Sequence, residues 1–469
     1  MSIEVQFIGA AKTVTGSRHL LRTRRARVLL DCGLFQGHRQ EARRRNQELG
    51  LAPDEVDAVV LSHAHIDHSG ALPMLCKLGY KGPIYATPAT RDLCAVMLED
   101  AAMIQAADAR YLNRAIERGH AQAEPIEPLY DARDAEQALG QMITLPYHRR
   151  QEVAPGVSLT FLEAGHVLGS AIVVLDVEDE GRHERIVFTG DLGRRRAPIL
   201  RDPELPTDAT ALITESTYGD RLHPPIEGME DELAGVLQRT FQRGGKVVIP
   251  SFALERAQEV IFSLKRLRRA GRMPDVPVYV DSPLTVNITQ VFRLHPECYD
   301  AEARALLSGG DSPFEFDGLH YVASVEDSMA IDASERPCVI ISASGMCEAG
   351  RILHHLKATV DEPKNTVVIV GFQAQHTLGR RIVERRPRIR IFGVERPLLA
   401  EVAVMNGFSA HADQSDLLEF AEGVRRRGSL REVALVHGEA TAQEALRTLL
   451  LERGFTSVRI PGPGEVMRM

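Results

Sequence analysis

Four side chains that can bind metal stand within one hexapeptide, directly after an apolar segment. The segment Ala58–Leu61 is predicted to be a strand, and His63, His65, Asp67 and His68 follow it. A strand that gives way to a loop can turn neighbouring side chains toward one point, whereas adjacent positions on a helix face apart, so we predict a loop here. Imidazoles and a carboxylate suit Zn²⁺, Mn²⁺ or Fe²⁺. Four ligands so close in sequence are too crowded for one ion, so the hexapeptide predicts two adjacent metals.

Two further candidate ligands follow later strand candidates. His166 lies in the segment Glu163–Ser170 and Asp191 in the segment Phe188–Gly193, where glycines permit a tight backbone. Either residue taken alone is as consistent with an ordinary turn as with a ligand. An aspartate can bridge two metals about 3.5–4 Å apart, and such a pair generates hydroxide and neutralises charge on a phosphoryl or carbonyl oxygen. The residues therefore predict a metal-dependent hydrolase.

The rest of the chain alternates strand-like and helical segments in two blocks. The first block fills about 220 residues, the second covers 244–400, and strand–loop–helix units return after Val402. Two such blocks with a return segment predict an α/β protein in which one domain is inserted into another. The strand candidates of the first block are Glu4–Gly9, Arg27–Leu30, Ala58–Leu61, Ser158–Leu162, Ala171–Val177, Arg185–Thr189 and Ala211–Thr214.

Composition narrows the class of protein. The 469 residues carry a net charge of −8, which argues against a globally basic surface for nucleic acid while leaving local basic patches open. The six cysteines form no CxxC pair, so we expect reduced thiols and a cytoplasmic protein. No signal peptide or membrane-spanning apolar run is visible. Aromatic residues make up 5% of the chain and tryptophan is absent, so few surfaces for base stacking are expected.

The ligand candidates, taken in order, resemble the metallo-β-lactamase superfamily. Asp31, in Leu-Leu-Asp-Cys-Gly, resembles that superfamily's first motif. Three other segments resemble the motifs A, B and C of one branch, the β-CASP nucleases, which includes the endonuclease subunit of the cleavage and polyadenylation specificity factor and its bacterial and archaeal homologues. These segments are Thr214–Gly219, Gly407–Asp413 and Val436–Glu439. The resemblance covers essentially the whole chain.

The resemblance implies a four-layer αββα metallo-β-lactamase domain split by an inserted α/β β-CASP domain. The expected parts are residues 1–218, the insertion 219–404, and residues 405–469. It also implies two Zn²⁺ ions per chain, with Mn²⁺ or Fe²⁺ as alternatives. The first metal would be held by His63, His65 and His166, the second by Asp67, His68 and His437, and Asp191 would bridge them, with Asp31 behind the ligands.

By the same resemblance, His411 is the general acid and Glu215 the carboxylate that orients it. The chemistry fits, because a departing ribose oxygen needs a proton and an imidazolium can supply one. A carboxylate neighbour raises the pKa of an imidazole and keeps it charged. Taken alone, His411 would as readily be a turn or helix-capping residue, and Asp413 could cap the helix that follows. His437 alone would more often be a structural histidine.

A second group of residues is expected to bind substrate phosphate. Hydroxyls and free N–H groups before a helix suit an anion, although a plain Gly/Ser turn is the alternative. The sequence departs from the family pattern twice, with His376 and Glu255 where relatives usually carry glycine. The candidate phosphate-binding residues are Ser342, Ser344 and Gly345 on these grounds, and Thr377 and Arg380 because their segment resembles the family's Gly-Thr-Leu-Gly-Arg loop.

The resulting hypothesis is a dinuclear zinc ribonuclease that hydrolyses phosphodiester bonds of single-stranded RNA by attack of a metal-bridging hydroxide, with no membrane partner. Two alternatives remain: a hydrolase of a small ester or thioester on the same fold, and a non-catalytic subunit of an RNA-processing complex. Endonuclease or exonuclease action, RNA or DNA preference, and a homodimer are left open by the sequence.

Overall fold

A computed structural model describes residues 3–37, 39–118, 125–371 and 373–469. The strands, in chain order, are β1 Glu4–Phe7, β2 His19–Arg22, β3 Arg27–Leu30, β4 Ala58–Val60, β5 Ile84–Ala86, β6 Met142–Thr144, β7 Gln151–Ala154, β8 Val157–Glu163, β9 Ala171–Asp179, β10 Arg182–Phe188, β11 Ala211–Glu215, β12 Val247–Pro250, β13 Val278–Val280, β14 Leu319–Tyr321, β15 Val339–Ser342, β16 Thr366–Ile369, β17 Arg388–Ile391, β18 Val394–Pro397, β19 Glu401–Val404, β20 Glu432–Val436, β21 Val458–Arg459 and β22 Val466–Arg468.

The helices, in chain order, are α1 Arg39–Asn46, α2 Ile66–Ser69, α3 Leu72–Lys77, α4 Pro88–Glu117, α5 Ala132–Gly140, α6 Met229–Gln242, α7 Arg256–Arg269, α8 Pro283–Leu294, α9 Ala301–Ser308, α10 Val325–Ala333, α11 Ile352–Thr359, α12 Leu378–Val383, α13 Gln414–Arg426 and α14 Ala440–Glu452. None of the helices in these ranges is long and apolar enough to cross a membrane.

The chain forms two compact units. The first comprises Met1–Arg195, Asp202–Leu222 and His411–Met469, and the second comprises Arg196–Arg201 and His223–Ala410. Because the second unit interrupts the first along the chain, the expectation of an inserted domain in an α/β protein is confirmed.

Two seven-stranded sheets face each other in the first unit. Their orders are β22-β1-β2-β3-β4-β5-β6 and β21-β20-β11-β10-β9-β8-β7. Buried apolar residues from both sheets, among them Val28, Val60, Val173 and Phe188, form the core between them. Strand β9 is buried along nearly its whole length, which is why its first five residues, Ala171–Leu175, are all apolar rather than alternating with polar ones.

Helices cover the outer faces of these two sheets. Leu417, Val424 and Leu446 of α13 and α14 pack on Ile172 and other residues of the second sheet. On the first sheet, α5 packs against both α3 and α4, and α4 contacts β6. The four layers follow the order αββα, as expected.

The second unit is built on a parallel sheet. Its order is β14-β13-β15-β12-β16-β19, with a separate antiparallel hairpin of β17 and β18. Val248, Ile340 and Val367 from the sheet pack against Ile352 and Leu356 of α11 to form its core.

Strand direction brings the first unit's polar loops to one edge. In the second sheet, β10 runs parallel to β11, β11 runs parallel to β20, and β8 shares that direction because both β8 and β10 are antiparallel to β9. The carboxyl ends of these four strands therefore lie along the same edge. In the first sheet, β3 and β4 are also parallel. Loops at such an edge are where sites are built.

The hexapeptide departs from its predicted local structure. A loop carries His63 and His65, but α2 begins at Ile66, so Asp67 and His68 lie in a helical turn. The N–H groups of His68 and Ser69 both donate to the carbonyl oxygen of His65, at 2.9 and 2.8 Å, which closes that turn. The prediction of a loop throughout is therefore wrong for the second half of the hexapeptide.

Candidate metal centre

Three imidazoles and a carboxylate converge after strands β4, β8 and β10. His63 Nε2 lies 3.1 Å from His65 Nδ1, and His166 Nε2 lies 3.3 Å from the same atom. Asp191 Oδ2 is 3.7 Å from both His63 Nε2 and His166 Nε2. Ligand atoms about 2 Å from a tetrahedral ion lie roughly 3.3 Å apart, so this group can hold one metal. We refer to it as the first pocket.

A second pocket lies on the other side of Asp191. His68 Nε2 is 3.3 Å from His437 Nε2, which in turn is 3.4 Å from Asp67 Oδ2. The second oxygen of Asp191, Oδ1, lies 3.4 Å from His68 Nε2. Each oxygen of Asp191 thus faces a different pocket, which is the arrangement of a carboxylate that bridges two ions.

The polar atoms in these pockets are better satisfied by a cation than by hydrogen bonds to each other. Asp191 Oδ1 is buried and accepts no hydrogen bond within the described part of the chain. A buried carboxylate oxygen without a donor is costly unless a cation faces it. Neutral imidazoles and ionised carboxylates are the forms that ligate divalent metals. Buried donors of this kind fit a pair of divalent cations.

The pKa values of the pocket residues agree with that ligand role. Burial lowers the pKa of His65 to about 4 and holds the pKa of His63 well below its usual value, so both rings are neutral. Burial opposes ionisation of Asp191, but His437 and His68 hold its pKa well below the usual range. Burial likewise opposes protonation of His68, yet Asp191 and Asp31 raise its pKa well above the usual value. A cation bound in the second pocket would supply the positive charge that the proton on His68 otherwise provides.

Hydroxyls and one carboxylate lie behind the rings of the candidate ligands. Asp31 Oδ2 lies 2.7 Å from His68 Nδ1, and Ser62 Oγ lies 3.1 Å from His63 Nδ1. Thr217 Oγ1 is 3.1 Å from His437 Nδ1. Such partners fix the ring orientation of metal ligands. Sequence analysis identified Asp31 but not Ser62 or Thr217. The signal that could have found them is the position of each hydroxyl residue: Ser62 directly precedes His63, and Thr217 lies in motif A.

His411 lies beside the first pocket and pairs with Glu215. Its Nδ1 is 3.2 Å from each oxygen of Glu215 and 3.8 Å from Asp191 Oδ2. The Glu215 side chain is fully buried, whereas 22% of the His411 side chain is exposed. Burial opposes the charge on His411, but Glu215 outweighs it and raises the pKa of His411 to about 9. His411 is thus an imidazolium at neutral pH with one face open to solvent.

Backbone contacts fix His411 against the Asp191 loop. His411 forms an isolated antiparallel bridge with Gly193, and the N–H of Ala412 donates to the carbonyl oxygen of Leu192 at 2.8 Å. Glu215 Oε1 also accepts from the N–H of Leu192, at 2.7 Å. His411, Glu215 and the residues that directly follow Asp191 are therefore held by one set of hydrogen bonds.

The candidate phosphate-binding residues lie in the second unit, and most of their polar atoms already have partners. Buried Ser342 donates its hydroxyl to the carbonyl oxygen of Asp281 at 2.7 Å, and Ser344 Oγ accepts from the N–H of Glu348. Thr377 Oγ1 caps α12, and Arg380 Nε pairs with Glu384 Oε1 at 2.9 Å. Gly345 packs against Phe252. Phe372 lies outside the described residues.

The two departures from the family pattern both have a positive φ. Glu255 has φ 67° and His376 has φ 69°, both in the left-handed region that favours glycine. A non-glycine residue there carries a strain of roughly 1–2 kcal/mol. The positions therefore keep the geometry that glycine suits while carrying larger side chains.

Family models match nearly the whole chain. Residues 16–250 match the metallo-beta-lactamase superfamily, residues 257–382 match the Beta-Casp domain, and residues 395–461 match the Zn-dependent metallo-hydrolase RNA specificity domain.

Individual proteins resemble the chain over similar lengths. Ribonuclease TTHA0252 of Thermus thermophilus is 42% identical over 446 residues, which are 95% of each chain. Transcription termination factor FttA of Methanosarcina mazei is 34% identical over 94% of this chain and 67% of its own. A solved structure of a protein of unknown function from Enterococcus faecalis covers both chains fully with a TM-score of 0.54 at 12% identity, which is a likeness of fold alone.

Proposed function

The chain belongs to the β-CASP branch of the metallo-β-lactamase superfamily of metal-dependent hydrolases, and on that basis we propose that it is a dinuclear zinc ribonuclease acting on single-stranded RNA. The observation that carries the proposal is the pairing of His411 with Glu215 beside two donor pockets that share Asp191. Two pockets alone suit many hydrolases. A charged imidazole next to them suits a reaction whose leaving group is a poorly acidic alkoxide.

Each pocket residue has a role in that reaction. His63, His65 and His166 would hold one cation, Asp67, His68 and His437 the other, and Asp191 both, with Asp31 orienting His68. When bound, such a pair of cations supplies a water-derived nucleophile at neutral pH and neutralises charge on the phosphoryl group.

His411 would protonate the departing ribose oxygen. Because Glu215 faces Nδ1, the ring's other nitrogen, Nε2, is the atom that would give up the proton. Glu215 keeps the ring charged before the bond breaks. General acid catalysis of this kind is worth about 10²–10⁴ in rate.

RNA is proposed as the substrate on the strength of similarity. The relative that is 42% identical is named a ribonuclease, and residues 395–461 match a domain model named for RNA specificity. We also propose that the backbone at Ser342, Ser344 and Gly345, together with Thr377 and Arg380, contacts substrate phosphate. The Arg380 side chain, 42% exposed, is accessible for such a contact.

Cleavage of labelled single-stranded RNA by the metal-loaded protein tests the proposal. Zn²⁺ and Mn²⁺ are added separately, metal occupancy is measured, and DNA of the same sequence and a small thioester are run alongside. We expect RNA cleavage that a chelator abolishes. His411→Ala should lower the rate about 10²–10⁴-fold, whereas His183→Ala, which alters a histidine 55% exposed on β10, should not.

Other outcomes separate the alternatives. Turnover of the thioester faster than RNA would favour a small-ester hydrolase. Occupied metal pockets with no cleavage of RNA or DNA would contradict the ribonuclease and favour a binding subunit. An Asp67→Ala variant with wild-type activity would exclude the second pocket from the reaction; Asp275→Ala, at a fully exposed aspartate, is its control.

A further inference from the structure

An aromatic ring stands next to His411 and outside both metal pockets. The ring of Tyr218 is 6.0 Å from the ring of His411, centroid to centroid, with 57° between their planes. Tyr218 lies within motif A and is partly exposed. Its role is not explained by metal binding, because the neighbouring Thr217 is the residue that contacts the ligand His437.

Backbone hydrogen bonds fix this ring relative to His411. Tyr218 forms an isolated parallel bridge with Asp413, two residues after His411. Gln414 holds the following turn from the same side, since its side chain donates to Gly219 O at 2.7 Å and its N–H donates to Arg221 O at 3.1 Å. Both segments belong to the first unit. The ring and the imidazole therefore lie in a fixed relation.

Close packing leaves the turn little freedom. A side chain at Gly219 would bring its Cβ to 2.5 Å from the carbonyl oxygen of Ala442 on α14. The N–H of Gly219 donates to Ser216 O, and the N–H of Arg221 donates to Tyr218 O, so two successive turns close here. An aromatic ring held in this way can bind a flat ligand without first being ordered.

A guanidinium lies on the same ring. Arg221 Cζ is 5.6 Å from the Tyr218 ring centroid, within the range of a cation–π contact. Two nitrogens of Arg221 also donate to the carboxylate of Asp220, at 2.8 and 3.1 Å. With its charge matched by Asp220, Arg221 is better suited to hold the ring than to bind phosphate strongly.

We propose that Tyr218 is a base-stacking residue for the nucleotide that carries the departing ribose oxygen, with Arg221 as its positioning residue. The inference rests on the proposed function, in which His411 protonates that oxygen. A base joined to the same ribose lies next to His411, where Tyr218 offers an aromatic face. Since every base has a π face, the contact selects for the presence of a base and not for its identity. In a chain with few aromatics and a net charge of −8, it supplies binding that salt does not weaken.

Abasic RNA tests this contact. The bond cut in a labelled RNA is mapped first, and a single abasic ribose is then placed on the leaving side of that bond or, as a control, on the other side. For the wild type, the leaving-side substitution should lower kcat/KM about 5- to 150-fold. On intact RNA, kcat/KM of Tyr218→Leu should be lower than that of the wild type by a similar factor. This variant should cut intact RNA and the leaving-side abasic RNA equally well, at low and at high salt.

Two further variants keep the result unambiguous. Tyr218→Phe retains the ring and should retain sensitivity to the missing base, which separates stacking from a fold defect. Tyr111→Leu removes a tyrosine 72% exposed on α4 and should behave as the wild type. A Tyr218→Leu enzyme as sensitive to the leaving-side abasic ribose as the wild type overturns the inference alone. A wild type that cuts no RNA overturns the proposed function and this inference together.

Discussion

At the scale of single residues, the proposed reaction depends on how Glu215 stabilises the positive charge of His411. Burial favours the neutral imidazole, and the carboxylate 3.2 Å away reverses that preference, so the pKa of His411 rises to about 9. Because the pKa is raised, the imidazolium persists below it and is lost above it. Cations at Asp191 would repel the imidazolium, so in the metal-loaded protein the loss of the acid occurs at or below about pH 9.

Glu215→Gln should move the alkaline limb of the rate profile to lower pH. The amide keeps the shape of the side chain but removes the charge that stabilises the imidazolium. The measurement is kcat against pH at saturating metal and RNA for both proteins. An alkaline limb that stays at the same pH in Glu215→Gln would contradict the role given to this pair.

Asp31→Asn should weaken the second metal pocket and leave the first nearly intact. Asp31 accepts from Ser17 and Ser62 and faces His68 Nδ1, so its carboxylate sets the tautomer and orientation of that ligand. Loss of such a partner typically costs about 10- to 100-fold in metal affinity. Competition with a chromogenic chelator measures the two affinities, and Asp275→Asn serves as the exposed control. Unchanged affinity at both pockets would refute this role of Asp31.

At the scale of elements, the site depends on how closely two loops approach. A Cβ at Gly193 would lie 1.8 Å from the carbonyl oxygen of Gly165 and 2.7 Å from the nitrogen of His166. The loop that carries Asp191 and the loop that carries His166 therefore touch through backbone. Only glycine at position 193 permits that contact without moving a ligand.

Gly193→Ala should lower both stability and metal occupancy. Overpacking of this kind costs about 1–3 kcal/mol, and relief of the clash would displace His166. Gly140→Ala, in α5 with open space around it, is the matched control and should keep full occupancy. Urea unfolding and metal analysis measure the two effects. Full metal occupancy in Gly193→Ala would contradict this prediction, because it would show that the two loops can move apart without loss of metal binding.

Helix α13 begins just after His411, so its cap should influence the acid. Asp413 accepts from the N–H groups of Ser415 and Asp416 at 2.8 and 3.1 Å. Asp413→Ala should cost about 1 kcal/mol of unfolding free energy and also lower kcat. Asp300→Ala removes the equivalent cap of α9 and should cost similar stability at unchanged kcat. If kcat were the same in both variants, the cap of α13 would have no influence on the position of His411.

The elements show which parts of the structure a sequence can predict. Strand segments with clear ends were predicted closely: Arg27–Leu30 has the bounds observed, and Ala211–Thr214 is one residue shorter than the strand found. The turn at α2 was missed because its polar residues give no helical period. The close contact of Gly193 with Gly165 joins segments 28 residues apart, and no local pattern reports it.

At the scale of the whole molecule, distant segments complete the site and the fold. The strand β22 pairs with β1 and forms one edge of the first sheet. His437 reaches Asp67 across 370 residues of sequence. Resemblance to a known family supplied the ligand set, including His437. Local sequence patterns alone identified only the hexapeptide, His166 and Asp191. A short stretch of sequence carries no information about a contact between residues so far apart in the chain.

RNA cleavage measured against metal bound per chain tests the central claim most directly. The metal-free protein is titrated with Zn²⁺, bound metal is determined by elemental analysis, and the initial rate on single-stranded RNA is followed at each step. With two pockets that share Asp191, the rate should stay low through the first equivalent and rise with the second, to a plateau near two ions per chain. Full RNA cleavage at one equivalent or in the metal-free protein, or no cleavage with two ions bound, would contradict a dinuclear ribonuclease.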